Sequence, residues 1–237
     1  MKILITGAEG IVGKAFLSRH GSKYEVVSYD LKSGLDINNY EQLLLLAEGC
    51  DQIVHLAAIP KPKSGYDFSD YLKVNCLGTH NVCRVAERLK IKRIIFSSST
   101  TYYGIEKGIP FNTPISENQK VLTQYITADE LKCRDIDLFY HHSKVIAEQI
   151  IANYSLSKKF EAIILRLAPV NKVFLDTSVS FENASQAIDL AINAEGEFWN
   201  EAFSIVDPGL AHISHEKATK LLGYNPTNPD YSPSQIH

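Results

Sequence analysis

Short apolar runs recur along this chain, and each is followed by a stretch with helical spacing. KILIT (2–6), YEVVSY (24–29), DQIVHLAA (51–58), KRIIFSS (92–98), EAIILRL (161–167) and AFSIV (202–206) read as strands. Helices are predicted over 11–19, 39–47, 69–89, 138–154, 181–193 and 215–224. In 69–89, Leu72, Cys76, Thr79, Val82, Val85 and Ala86 fall toward one side. In 138–154, Phe139, His142, Ile146 and Ile150 form one stripe. Strands alternating with helices imply an α/β fold: a doubly wound parallel sheet covered on both faces by right-handed crossovers. The alternation is cleanest over 1–170. Residues 171–237, with prolines at 226, 229 and 233, read as a small C-terminal cap packed on it.

Bulk composition narrows the class. The chain has 237 residues, 45% of them hydrophobic, and a net charge of −3. That charge gives no electrostatic footprint for nucleic acid or an anionic membrane. No apolar run approaches the roughly 20 residues that span a bilayer, and the opening MKILITG lacks a secretory pattern. Cys50, Cys76, Cys83 and Cys133 form no CxxC pair and sit near no histidine cluster. They read as reduced thiols of a cytoplasmic protein, with no metal site.

The first strand runs into TGAEGIVGKAF (6–16), which places Gly7, Gly10 and Gly13 between a strand and a helix. That context reads as a Rossmann dinucleotide loop. Gly7 permits the tight turn, Gly10 lets a pyrophosphate approach the backbone, and Gly13 lets the helix pack on the sheet. The helix N-terminus offers free N–H groups to the phosphates. Asp30 closes the second strand, where a carboxylate accepts hydrogen bonds from ribose hydroxyls and repels a 2′-phosphate, favouring NAD over NADP. Lys32 nearby tempers that preference. Asp36 and Ile37 are candidates for the adenine edge and face.

Two features carry candidate chemistry. FSSSTTYYG (96–104) piles hydroxyls at a strand end. Tyr140 and Lys144 lie four apart on one helix face. An ammonium beside a phenol lowers the phenol's pKa toward working pH and makes it a proton carrier for an alcohol.

Taken in order, TGAEGIVG, Asp30, Asp36-Ile37, HLAA (55–58), NCLGT (75–79), FSSSTTYYG and YHHSKVIAE (140–148) resemble the extended short-chain dehydrogenases/reductases. The resemblance is to the NAD-dependent epimerase/dehydratase branch that acts on nucleotide sugars, and it covers about residues 1–170. It implies Ser99 as the catalytic hydroxyl, Tyr140 as the catalytic base and acid, and Lys144 holding the nicotinamide ribose. It implies that Gly7, Glu9, Gly10, Ile11 and Val12 surround the pyrophosphate, that Leu56, Ala57, Ala58 and Ser97 line the cofactor, and that Asn75 positions that region. It further implies NAD as cofactor, a sugar or nucleotide sugar as substrate, and a homodimer formed through the helices at 69–89 and 138–154.

Three departures refine the resemblance. Thr100 and Thr101 stand where the 4,6-dehydratases carry an Asp-Glu pair, so the pattern points to a 4-epimerase-like enzyme. The segment after LRLAPVNKV (165–173) is short, so a smaller substrate, as in uronate dehydrogenases, is the alternative. Residues 105–136, with a helix-like piece at 127–135, form an insertion that reads as a lid, a partner surface or a surface loop. His141 and His142 follow Tyr140 where the family has a small residue first. Arg166 either binds an anionic group or caps its strand. A cofactor-sensing scaffold is the remaining reading, set against the retention of Ser99, Tyr140 and Lys144.

Overall fold

The computed structural model describes residues 1–60, 65–104, 112–119, 121, 138–172, 177–209 and 212–229. The helix-like piece at 127–135 and Cys133 lie outside the described residues. Six strands form one sheet: β1 (Lys2–Thr6), β2 (Glu25–Tyr29), β3 (Gln52–His55), β4 (Arg93–Ser99), β5 (Glu161–Leu167) and β6 (Glu201–Ile205). Their order is β2-β1-β3-β4-β5-β6, and every pairing is parallel. The chain therefore winds one way from β1 to β2 and the other way from β3 onward. The switch lies between β1 and β3, where a crevice opens beyond the carboxyl ends of the strands.

Each face of the sheet carries a helical layer. α1 (Ile11–His20) and α6 (Phe181–Asn193) cover one face, on which Phe16, Ala184 and Ile188 pack against Ile3, Ile5, Val54, Ile95 and Ile163. α2 (Tyr40–Ala47), α4 (Gly78–Leu89) and α5 (Phe139–Leu156) cover the other, with Leu43, Val82, Val85, Ala147 and Ile151 against Leu4, Ile53, Ile94 and Phe96. The period-2 alternation of Ile94, Phe96 against Ile95 along β4 feeds both layers at once, as a doubly covered parallel strand requires. The doubly wound α/β fold expected from the sequence is the fold observed. β6 and α6 fall within 171–237 and belong to this same sheet and its cover; α7 (Glu216–Leu222) packs beside β6.

Two elements differ from their sequence pattern. The single helix expected over 69–89 is built in three parts: α3 (Phe68–Tyr71), a π-helical turn (Leu72–Leu77) and α4. Asp67 and Asp70 close a capping box at its start. The π turn contains Asn75, whose buried side chain is pulled toward Ile59 and Ser143, and π turns of this kind concentrate at functional sites. In α5 the stripe Phe139, His142, Ile146, Ile150 is half-buried or exposed. The buried face carries Tyr140, His141, Lys144, Ala147, Glu148 and Ile151. Periodicity registers hydrophobicity and misses polar groups whose partners lie on another strand.

Candidate active site

The crevice at the switch point is shaped by glycine. Gly7 turns the chain at φ +73°, and its N–H donates to the Tyr29 carbonyl at 2.8 Å. A Cβ at Gly7 would stand 2.7 Å from the Ala57 nitrogen, and one at Gly13 would stand 2.5 Å from the Gly7 and Ala8 carbonyl oxygens. Both obstacles are backbone, so neither position tolerates a side chain without movement. Gly10 caps α1 in extended geometry with no side-chain hydrogen bond, and the first turn of α1 holds no acidic residue. The free N–H groups there suit an anion. Ile11 is 63% exposed at this opening.

Around the opening, the strand tips remain partly accessible. Gly7, Glu9, Gly10, Val12, Asp30, Leu56, Ala57, Ala58, Ser97 and Ser99 are all half-buried, although the strand residues beneath them are buried. Asp30 accepts hydrogen bonds from the N–H groups of Glu9 and Lys32, each at 2.9 Å. One lone pair on each oxygen is left for a ribose hydroxyl. Asp36 is exposed and accepts from the Asn38 backbone and side chain. Ile37 is buried under α4, where a Cβ on Gly78 would meet its Cγ2 at 2.7 Å. The donor set, the glycine cradle and the acidic strand end fit a dinucleotide.

Behind the crevice runs a buried polar chain whose directions are fixed. Thr79 Oγ1 donates to the Asn75 carbonyl, so it accepts from His55 Nε2–H; His55 Nδ1 then accepts from Thr6 Oγ1, which accepts from the Ala57 N–H. His55 is neutral, because burial pushes its pKa down to about 3, with Lys144 adding to the drop. Asn75 Nδ2 donates to Ser143 Oγ, which donates to the Tyr140 carbonyl. The tips of β1 and β3 are thus tied through the π turn to the start of α5.

At the neighbouring tip of β4 the three serines divide their work. Ser98 points into the protein and donates to Glu148 Oε1 at 2.5 Å. The Ser97 carbonyl accepts from Lys144 Nζ at 2.9 Å. Ser99 is half-buried at the strand end, and its hydroxyl accepts from the Thr101 N–H at 3.2 Å. Tyr140 packs with Ile59 and Tyr71, and Lys144 Nζ lies 5.9 Å from the centre of its ring. Burial lowers the Lys144 pKa to about 8; the charges of Glu148 and Cys76 pull it back up. The structure therefore sets Tyr140 and Lys144 against the tip of β4 that carries Ser97 and Ser99.

Glu148 escaped sequence reasoning, and the partners of Arg166 and His141, whose roles the sequence left open, are fixed by the fold. Glu148 takes a bidentate grip on Arg166 at 3.1 and 2.8 Å. Arg166 also donates to the Tyr103 hydroxyl and the Glu117 carbonyl, and stacks 3.6 Å from the Tyr102 ring centre. This buried arginine is committed inside the protein. Tyr103 is buried, its pKa pushed up to about 12 by burial, and Tyr102 is likewise raised. His141 is fully buried and its Nδ1–H donates to the Thr101 carbonyl at 2.5 Å, fastening α5 to the turn after Ser99. Glu148 was findable as the i+4 neighbour of Lys144 on the same helical face. Among the described residues, no group of three or more His, Cys, Asp or Glu side chains could hold a metal, and no helix is long and apolar enough to cross a membrane.

A family model for the NAD dependent epimerase/dehydratase family matches residues 3–171. The chain belongs to this family. Within the family's wider set of relatives, the L-arabinose 1-dehydrogenase (NAD(P)(+)) of Haloferax volcanii is 28% identical over 70% of this chain and 66% of its own length. The uronate dehydrogenase of Pseudomonas syringae pv. tomato is 22% identical over 98% of this chain and 81% of its own. A solved UDP-glucuronic acid 4-epimerase from Bacillus cereus, in complex with NAD, superposes with a TM-score of 0.74 at 20% identity, over 97% of this chain and 94% of that one. The chain spans less than two thirds of the first curated relatives that it matches. These family members are sugar-modifying epimerases and dehydrogenases.

Proposed function

We propose that the protein is an NAD-dependent dehydrogenase that oxidises a hydroxyl of a small sugar or sugar acid. The observation that carries this is the Lys144–Ser97 bond, which sets the Tyr140 face of α5 against the hydroxyl-bearing tip of β4, next to the glycine cradle. Gly7, Glu9, Gly10, Ile11 and Val12 would hold the pyrophosphate; Asp30 would hold the adenosine ribose; Ala57, Ala58 and Lys144 would hold the nicotinamide half. NAD, when bound, supplies the hydride acceptor. Tyr140 takes the proton from the substrate hydroxyl, and Ser99 orients that hydroxyl through a hydrogen bond. Lys144, charged next to the phenol, favours its ionised form. The His55, Thr79, Asn75 and Ser143 chain holds the start of α5 in register with the cofactor loops.

The small substrate is supported by the short passage from β5 to α6, residues 168–180. It is also supported by the alignments with L-arabinose 1-dehydrogenase and uronate dehydrogenase, the latter running nearly the whole length of the chain. The nucleotide-sugar 4-epimerase reading that the sequence placed first is favoured by Thr100 and Thr101 in place of an acidic pair. The two separate by product. A panel of free aldoses, uronic acids and UDP-, GDP- and dTDP-sugars is incubated with NAD and followed by NADH absorbance and NMR. A dehydrogenase accumulates NADH with a free sugar; sugar inversion with no net NADH would overturn the dehydrogenase in favour of the epimerase.

The free thiols of Cys50, Cys76 and Cys83 accord with a cytoplasmic location. A homodimer is supported by the outer face of α4 and α5, where a groove of about 690 Å³ is lined by His80, Tyr102, Ile146, Ile150 and Tyr154.

A further inference from the structure

The face of α5 that meets β4 carries three polar side chains in step. Glu148 accepts from Ser98 Oγ, Lys144 donates to the Ser97 carbonyl, and His141 donates from Nδ1 to the Thr101 carbonyl at 2.5 Å. A carbonyl only accepts, so the proton of this bond is on Nδ1. Positions 141, 144 and 148 recur at three and four residues, the spacing of one helical face. The His141 bond lies in the first turn of α5, beside Tyr140, and reaches past the strand to the turn Thr100–Tyr103. The Thr101 peptide carries the link onward, because its N–H donates to Ser99 Oγ at 3.2 Å. Its carbonyl also takes the Gly104 N–H at 2.9 Å, which closes the turn on itself.

We propose that His141 is a positioning residue: through the Thr101 peptide it sets the separation and direction of the Tyr140 phenol relative to the Ser99 hydroxyl. The inference rests on the proposed reaction, in which both groups act on one substrate hydroxyl. Both must then reach the same oxygen, and a misplacement of about 1 Å costs on the order of 10²-fold in rate. The first turn of α5 needs such a tether, since no side chain caps the helix at Leu138. The bonds from Asn75 to Ser143 and from Ser143 to the Tyr140 carbonyl hold this turn toward the π turn; His141 holds it toward Ser99. Ser99 spends one lone pair on the Thr101 N–H, which leaves its O–H and its other lone pair for the substrate. His141 is fully buried, so its ring cannot swing away from the Thr101 carbonyl without repacking its surroundings.

The test is steady-state turnover of the full chain, followed by NADH absorbance and NMR with the member of the sugar panel that reacts. The proteins are the wild type, His141→Leu, His141→Ala, His141→Asn and Tyr140→Phe. Leu and Ala both remove the donor, with and without filling the space of the ring, so one folded donor-free variant suffices. Asn carries its Nδ2 two bonds from Cβ, as imidazole carries Nδ1, and can donate to the same carbonyl. Circular dichroism and thermal unfolding check that each variant folds. The donor-free variants are expected to lose about tenfold or more in kcat while KM shifts less than about threefold, and His141→Asn to recover kcat to within about threefold of the wild type. A purely structural role would lower stability in all three His141 variants without separating Asn from Leu and Ala in kcat. Equal kcat losses in the Asn and donor-free variants, or a wild-type kcat in the donor-free ones, would overturn the role of His141; an inactive Tyr140→Phe beside them would leave the proposed reaction standing. A Tyr140→Phe variant as active as the wild type, or a wild type that turns over no member of the panel, would overturn the proposed reaction and this inference with it.

Discussion

Lys144 holds an ammonium where water does not reach, with a carbonyl, two aromatic rings and the Glu148 carboxylate as its surroundings. Its folded-state pKa of about 8 lies below the ordinary 10.5. Between those values the unfolded chain binds more protons, so stability rises with pH across this window, and the penalty for the buried charge is full below about pH 8. Lys144→Met is therefore expected to raise the unfolding free energy at pH 7 by about 1–3 kcal/mol, an advantage that fades toward pH 10.5. Urea unfolding at several pH values checks it; an equal or lower stability of the variant at pH 7 would contradict the assignment. Such a cost is what the proposed role of Lys144 in the chemistry would account for. At this scale the sequence singled out Tyr140 and Lys144 as candidates by their spacing on one helix face, and Ser99 through the family resemblance. Glu148, His141 and Arg166 were not legible as partners. Their bonds join residues 18 to 63 positions apart, and nothing local marks them.

α5 shows the same limit for an element. Its length and place in the chain were legible, but its hydrophobic stripe pointed to the wrong face. The buried face accepts Tyr140, Lys144 and Glu148 because β4 and β5 supply the Ser97 carbonyl, the Ser98 hydroxyl and the Arg166 guanidinium. Glu148→Leu leaves the buried Arg166 charge with only the Tyr103 hydroxyl and the Glu117 carbonyl and without its carboxylate, and is expected to cost about 3–5 kcal/mol of stability. Denaturant unfolding of the variant checks this, and a loss below about 1 kcal/mol would show that Arg166 finds water or another acceptor. The apolar stripe left outside, Ile146 and Ile150 among it, is the surface the proposed homodimer would bury. Ile150→Glu is then expected to turn a dimer into a folded monomer in analytical ultracentrifugation with circular dichroism as the folding control; a wild type that is monomeric at all concentrations would remove the dimer from the account.

Across the whole molecule the sheet was the most legible feature, because the central strands β1, β3, β4 and β5 are covered on both faces and carry apolar runs, while the edge strand β2 keeps Glu25 and Ser28 exposed. The π turn at Leu72–Leu77 and the register that brings β4 beside α5 follow from packing between distant elements, and no stretch of sequence states them. In the proposed function the fold contributes that assembly: residues 6–16 would build the cofactor cradle, the tip of β4 would supply the hydroxyl, and α5 would deliver the phenol and ammonium to it. The claim is tested most directly by measuring NAD binding and NADH formation for the wild type and Tyr140→Phe with the sugar that gives turnover. The account expects the variant to bind NAD within about twofold of the wild type and to lose turnover by about 10²-fold or more. Turnover that survives the loss of this one hydroxyl would contradict it.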